Sequence, residues 1–384
     1  MKKIGLVLAC CTNYGALLQA YATQQIIKKM GYETEIIIYE PDKKSRHIKF
    51  DWGLLPYLIA TAWESYHNSK IVEVLDEVHE RNKLDRVSVM NTFCDTRLEN
   101  RNIYKGYDNL KAAGEACDVV LIGSDQMWLP GTTFGNHISL RFVPDNVRKV
   151  SYATSLGVSY YPWYCRHSAK RVWNRMDYIS VREEQGKKII QNICGDIPVS
   201  VVLDPTYLLT KEQWQELIPY QKKEDDKYVL CYFLGNDDST YYCAQRFARS
   251  KGLKLLSILS DESSSPNDMS YADRYITGSA PEDFINFIRG AEYIFTDSFH
   301  GIAFSVINEK QFFVLYRRMQ NTRFSRNSRI DNILNMWGLS GRLILDKEID
   351  WDSYNETVID YSIARALVIN KRNESLAFLD NALK

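Results

Sequence analysis

The sequence predicts two α/β domains in tandem, each built on a parallel sheet, facing one another across a cleft. Three observations predict it. The chain opens on strand, glycine-ended loop, helix and strand. The same rhythm restarts near residue 228. A polar stretch with Pro219 inside it separates the two runs. Alternating strands and helices bury a parallel sheet on both faces.

In chain order, residues 4–9 read as a buried strand. Met1-Lys2-Lys3 with residues 4–11 also imitates an export signal, but the apolar run is at the short end of the roughly 7–15 residues such a signal needs, and it leads straight into a helix. Residues 11–15 form a loop, residues 16–30 a helix with Gly31 as its stop, and residues 35–39 a second strand ended by Pro41. Residues 42–109 alternate charges with helical runs such as 71–79 and show no core strand, so they read as a helical insertion. The sheet resumes at 118–122 and is followed by Gly123-Ser124-Asp125-Gln126-Met127-Trp128, whose polar groups and indole could form a sugar platform. Further strands are expected at 149–153, 178–181 and 199–203, with helices at 163–176 and 184–194 between them. The second run has strands at 228–234, 253–259, 293–295 and 311–315, helices at 239–250, 281–289 and 330–337, and a Ser/Pro/Asp loop at 261–268. An amphipathic helix over 361–379 closes the chain. The division is therefore 1–209 with the insertion, 210–349, and a tail at 350–384, the first two Rossmann-like.

At 384 residues the chain is long enough for two cores. Its formal net charge of +0 carries no nucleic-acid footprint. No run reaches the ~18 apolar residues of a membrane span. The 8 cysteines show no zinc spacing and are expected as reduced thiols of a cytoplasmic protein. His47, His67, His79, His137 and His167 have no spacing that would hold a metal, and GxGxxG, GxSxG, Walker and HExxH patterns are absent.

The chemistry gathers at carboxyl ends of strands, where open α/β sheets bind ligands. His300 and Gly301 open a helix directly after the strand at 293–295, with Asp297 and Ser298 as its cap. Backbone N–H groups there favour an anion, and a histidine can give up a proton near neutral pH. Arg182 ends the strand at 178–181 and reads as an anion holder, or alternatively as the partner of Glu183 or Asp204. A loop with Arg317, Arg318, Arg323, Arg326 and Arg329 follows the strand at 311–315. Asn13-Tyr14-Gly15 completes the set from the first domain.

Together these motifs resemble the polysaccharide pyruvyl transferase family. The resemblance rests on Asn13-Tyr14-Gly15-Ala16 with Gln19-Ala20-Tyr21, Gly123-Ser124-Asp125-Gln126, Ser180-Val181-Arg182-Glu183, Asp204-Pro205-Thr206, Thr296-Asp297-Ser298-Phe299-His300-Gly301 and Asn327-Ser328-Arg329-Ile330, in that order. It implies a fold similar to GT-B glycosyltransferases, phosphoenolpyruvate as donor, and a sugar of a surface polysaccharide or its precursor as acceptor. It further implies a pyruvate ketal as product and no cofactor. His300 would be the acid, and Asp125 or Asp297 the proton acceptor. Arg182, Arg329, Ser298, Gly301, Asn327, Asn13, Tyr14, Gly15, Gln19, Ser124 and Gln126 would bind substrates, with the acceptor on the first domain and the donor on the second. Where the family often has an arginine before the HG dipeptide, this chain has Ser298-Phe299, so Arg182 or Arg329 must hold more of the donor. A lipid-linked acceptor would place the enzyme at the inner membrane face, touching it through the insertion. Two other functions fit the same residues: a nucleotide-sugar glycosyltransferase, and a non-catalytic sugar-binding member of the family.

Overall fold

The computed structural model describes residues 1–9, 13–42, 52–68, 77–235, 237–260, 269–317, 327–354 and 357–384. Cys10, Cys11 and Thr12 of the first loop, residues 71–76 of the expected helical run, the 261–268 loop, and Arg318, Arg323 and Arg326 lie outside them. The first sheet contains β1 (Lys3–Val7), β2 (Glu33–Glu40), β3 (Arg101–Lys105), β4 (Val119–Ile122), β5 (Arg148–Thr154), β6 (Tyr178–Val181) and β7 (Ser200–Val201). The second contains β8 (Tyr228–Tyr232), β9 (Lys254–Ile258), β10 (Arg274–Ile276), β11 (Tyr293–Thr296), β12 (Gln311–Leu315) and β13 (Leu343–Ile344). Their orders are β3-β2-β1-β4-β5-β6-β7 and β10-β9-β8-β11-β12-β13. Every strand pairing is parallel. Both sheets thus have the doubly wound order, with the switch point between β1 and β4 and between β8 and β11.

The helices are α1 (Tyr14–Lys29), α2 (Leu54–Asn68), α3 (Glu77–Arg97), α4 (Tyr107–Glu115), α5 (Trp163–Trp173), α6 (Glu184–Cys194), α7 (Lys211–Leu217), α8 (Asp238–Ser250), α9 (Pro281–Gly290), α10 (Phe299–Ile307), α11 (Ser328–Met336) and α12 (Tyr361–Leu383). Successive strand residues face opposite sides of a sheet, and here both sides are buried. In β4, Val119 and Leu121 face one core while Val120 and Ile122 face another. In β12, Phe312 and Val314 enter that first core, and Phe313 and Leu315 enter a third. The shared core is continuous through both domains, so the two inner sheet faces and α1, α9 and α10 bury one another. The outer cores belong to one domain each.

Three strands depart from the sequence reading. Between 42 and 109, read as strandless, β3 pairs with β2. Its RNIYK pattern is half-exposed because it is an edge, which removes the apolar signature of a core strand. β10 and β13 are edges too, of three and two residues.

The insertion also does more than extend the surface. α3 crosses to the second domain. Arg86, fully buried, donates to the Leu259 carbonyl at 2.9 Å and lies 4.1 Å over the Tyr14 ring. Asn82 accepts from the Gly278 amide at 2.9 Å, and Arg97 pairs with Glu282 at 3.0 Å. At the other end of the chain, α12 returns to the first domain. Ser375 accepts from the Leu203 amide at 2.9 Å, and Phe378 packs on Tyr152 and Tyr178. Among the described residues no helix is long and apolar enough to cross a membrane, and six cysteines are free thiols.

Replacing Arg86 by alanine removes a charged hydrogen bond and a stacked cation at the domain seam. The expected loss is about 2 kcal/mol of stability, read as a lower urea midpoint.

Candidate functional site between the two sheets

The site forms where the carboxyl ends of both sheets meet. From the first domain, Asn13 caps α1 by accepting from the Gly15 amide at 2.9 Å. From the second, Ser298 caps α10, accepting from the Gly301 amide at 3.4 Å. The two helix starts touch. A Cβ on Gly15 would lie 1.9 Å from His300 Nδ1, so only glycine lets the imidazole reach this position. Gly301 is needed for a different contact: a Cβ there would lie 2.3 Å from Thr296 Oγ1, at the tight turn from β11 into α10.

Asp204, at the end of the short β7 segment, is the hub. It is buried, and its Oδ1 accepts from the Thr206 amide at 3.0 Å and the Thr206 hydroxyl at 2.8 Å. Its Oδ2 accepts from Ser124 Oγ at 2.9 Å and Arg182 Nη1 at 2.8 Å, and stands 3.7 Å from His300 Nε2. Burial by itself would raise the Asp204 pKa. The His300 imidazole, the Arg182 guanidinium and the Thr206 amide outweigh it and hold the carboxyl well below the usual carboxylate range.

Arg182 is also buried. Its Nε donates to Glu183 Oε1 at 3.2 Å, and its guanidinium lies 4.1 Å over the Phe299 ring of the other domain. Its Nη2 has no hydrogen-bond acceptor, the nearest carboxylate oxygen being Asp125 Oδ1 at 4.0 Å. Burial works against its charge, but Glu183, Asp204 and Asp125 keep its pKa above the ordinary arginine value. The ion-pair reading of Arg182 holds, with Glu183 and Asp204 both as partners, and its Nη2 is left without a hydrogen-bond acceptor.

Arg329, at the start of α11, reaches across to the first domain. The Gln126 carboxamide oxygen, oriented by its partners, accepts from its two terminal nitrogens at 3.0 and 2.6 Å. Arg329 Nε is buried without an acceptor. Burial, and then the positive charge of Arg182, push the Arg329 pKa down to about 10. Two small cavities flank these groups. One of about 20 Å³ lies against Arg182, Asp204, Phe299 and Arg329, and one of about 10 Å³ against Asp297, Arg317, Asn327 and Arg329.

Several expected site residues are engaged by other partners. Asp297, on the second cavity, accepts from the Leu234 amide at 2.7 Å and the Gly235 amide at 2.8 Å and pairs with Arg317 at 3.4 Å. These bonds hold the loop after β8. Tyr14 is buried at the seam, stacked on Phe284 at 4.8 Å with its hydroxyl donating to the Ser279 carbonyl at 3.0 Å, so it joins domains and does not face a cleft. Gln19 is buried and donates to the Ala16 carbonyl at 2.8 Å. Trp128, expected as a sugar platform, is wholly buried against Trp173. Asn327 donates to the Arg317 carbonyl at 3.4 Å. Asp125 does stand at the rim, 22% exposed, in left-handed backbone at φ 72°. Sequence reasoning undervalued Asp204, Thr206, Glu183 and Phe299 as members of the site. The Asp-Pro-Thr turn directly after a strand was the available signal for the first two. Among the described residues no group of three His, Cys, Asp or Glu side chains is arranged to hold a metal.

Two doubly wound domains with a polar site between their facing carboxyl edges define the GT-B architecture. The UDP-GlcNAc 2-epimerase of Methanocaldococcus jannaschii shares it, with a TM-score of 0.51 and 11% identity over 96% of this chain and 99% of that one. Also similar are a putative UDP-N-acetylglucosamine 2-epimerase from Listeria monocytogenes (TM-score 0.48, 12% identity, covering 99% of this chain and 90% of that one) and the glycosyltransferase SnogD from Streptomyces nogalater (TM-score 0.45, 10% identity, 98% and 95%). No curated protein matches the chain. Residues 13–318 match the polysaccharide pyruvyl transferase family, and the chain belongs to that family. Its general activity is therefore pyruvyl transfer in polysaccharide biosynthesis, with a saccharide acceptor.

The Asp204 carboxylate makes the site's cohesion pH-dependent. Its folded pKa lies below its unfolded value, so its contribution is full above about pH 4 and is lost as pH falls further. Asp204→Asn should cost about 3 kcal/mol at neutral pH, as breaking a buried ion pair does. The gap from wild type should narrow below about pH 4 in urea unfolding followed across pH.

Proposed function

We propose that this chain moves the enolpyruvyl group of phosphoenolpyruvate onto two hydroxyls of a saccharide, forming a pyruvate ketal and releasing phosphate. The observation that carries the proposal is a pair of arginines lining one cavity, each with a buried hydrogen-bond donor that has no acceptor, Arg182 Nη2 and Arg329 Nε, beside the Asp204 carboxylate that His300 adjoins. A desolvated donor without an acceptor is costly. A small dianion carrying both carboxylate and phosphate would satisfy both.

His300 delivers a proton to the methylene carbon of the enol ether, which becomes the methyl group. Positive charge develops at the carbon bearing the phosphate oxygen. The first sugar hydroxyl adds there and gives a tetrahedral phospho-ketal. The second hydroxyl displaces phosphate and closes the ring. Of the two hydroxyl protons, one restores His300 and the other leaves with phosphate. Asp125, at the rim beside Arg182, would relay the first of them, a role its partly exposed carboxylate supports. Asp204 keeps a negative charge 3.7 Å from His300 Nε2. The positive end of the α10 dipole would stabilise the departing phosphate. No metal or organic cofactor takes part in this reading.

Titration calorimetry with phosphoenolpyruvate tests the donor. Wild type should bind it, and Arg329→Ala should weaken binding by about tenfold or more, the worth of one charged hydrogen bond. Binding of a nucleotide sugar in place of phosphoenolpyruvate would overturn the assignment. In a coupled phosphate-release assay, His300→Ala should lose on the order of 10²–10⁴ in kcat while keeping donor affinity, the usual range for a general acid. Gly15→Ala should lower kcat in the same assay by displacing the imidazole, with the circular dichroism spectrum unchanged.

A further inference from the structure

The first domain carries an exposed apolar face that the chemistry of the cleft does not use. Just before and along the first turns of α2, Trp52 is 84% exposed, Leu55 65%, Leu58 51% and Ile59 61%. The opposite side of this helix is anchored: the Tyr57 ring fills the space where a Cβ on Gly131 would lie and packs on Phe134. The helix is thus held in place with its large apolar side chains directed outward. Scattered exposed leucines need no explanation, but four large apolar groups within eight positions, rigidly presented, form a patch.

The helix packed beside it supplies the charge. α5 contacts α2 and begins with Trp163, itself 68% exposed. Along its length Arg166, Lys170 and Arg171 are exposed, and its sequence WYCRHSAKRVW contains no acidic residue. The whole chain has a formal net charge of +0, so this cationic helix face is local; Asp108 and Asp145 line the groove beside Arg171 at its far end. Trp163 follows the carboxyl end of β5 by nine residues and opens α5. Exposed tryptophan and leucine beside exposed arginine and lysine, all on anchored helices, fit the boundary between acyl chains and anionic headgroups.

We infer that α2 and α5 form a docking surface for an anionic lipid bilayer. Insertion of the α2 side chains supplies the apolar part of the binding free energy. The α5 cations supply the part that salt screens. This surface does not depend on the donor assignment, so its test uses no substrate.

The experiment is flotation of the full chain with vesicles of phosphatidylcholine alone and of phosphatidylcholine mixed with phosphatidylglycerol. Wild type should float with the mixed vesicles, much less with the neutral ones, and less at high salt. Leu55→Glu/Ile59→Glu and, separately, Arg166→Glu/Lys170→Glu should each lower partitioning by about tenfold or more. Both variants should keep the wild-type melting temperature and donor affinity, which separates loss of docking from misfolding. Failure of wild type to float with anionic vesicles overturns the inference. So does flotation indifferent to both variants. A wild-type dimer in sedimentation that Leu55→Glu/Ile59→Glu dissolves, without flotation, would assign the face to a second copy instead.

Discussion

A carboxylate buried at the meeting point of two domains has to be compensated by charges and donors brought from both. Asp204 imposes that constraint here. Its first-domain partners are Ser124, Thr206 and Arg182, and the second domain contributes His300. Leaving such a group unpaired costs several kcal/mol, so the closed arrangement of the domains and the position of the histidine are specified together. Arg182 extends the network in two directions, to Glu183 within its own domain and onto the Phe299 ring across the seam.

The rest of the interface makes closure cheap to hold. One apolar core passes from the first sheet to the second without a polar break. Tyr14, Arg86 and Phe284 stack in a single column at the seam. Against this background the Gln126–Arg329 contact is the most easily exchanged link, since a neutral amide is a weak counterpart for a guanidinium. A cavity of about 20 Å³ beside it accommodates little more than one water. An incoming anion has reason to displace that amide: it would neutralise Arg329, whose charge burial and Arg182 both oppose.

Much of the fold was legible because its signals are local. Continuous apolar runs gave the central strands, and Gly31, Pro281 and Ser298 marked helix ends by their backbone chemistry. Edge strands were not legible. β3 has polar residues on its exposed side, and β10 and β13 are too short to show a period. The site divided in the same way. His300, Arg182, Arg329 and Asp125 could be picked out because strand ends in a parallel sheet converge. Tyr14, Trp128 and Asp297 looked equally suitable, and their burial or backbone bonding became visible only in three dimensions.

By itself, then, the sequence determined two doubly wound domains, the switch-point histidine and a family membership carried by six short motifs. Each of those follows from spacing along the chain: strand periodicity, cap residues and turn glycines act within a few positions. The tertiary structure alone decided that Asp204 links the histidine to Arg182, that Gly15 makes room for the imidazole, that α3 braces the domains, and that α2 turns its apolar side outward. These depend on residues up to 285 positions apart, as Gly15 and His300 are. Burial and charge compensation between such residues are set by how the two sheets pack, and no local pattern encodes that.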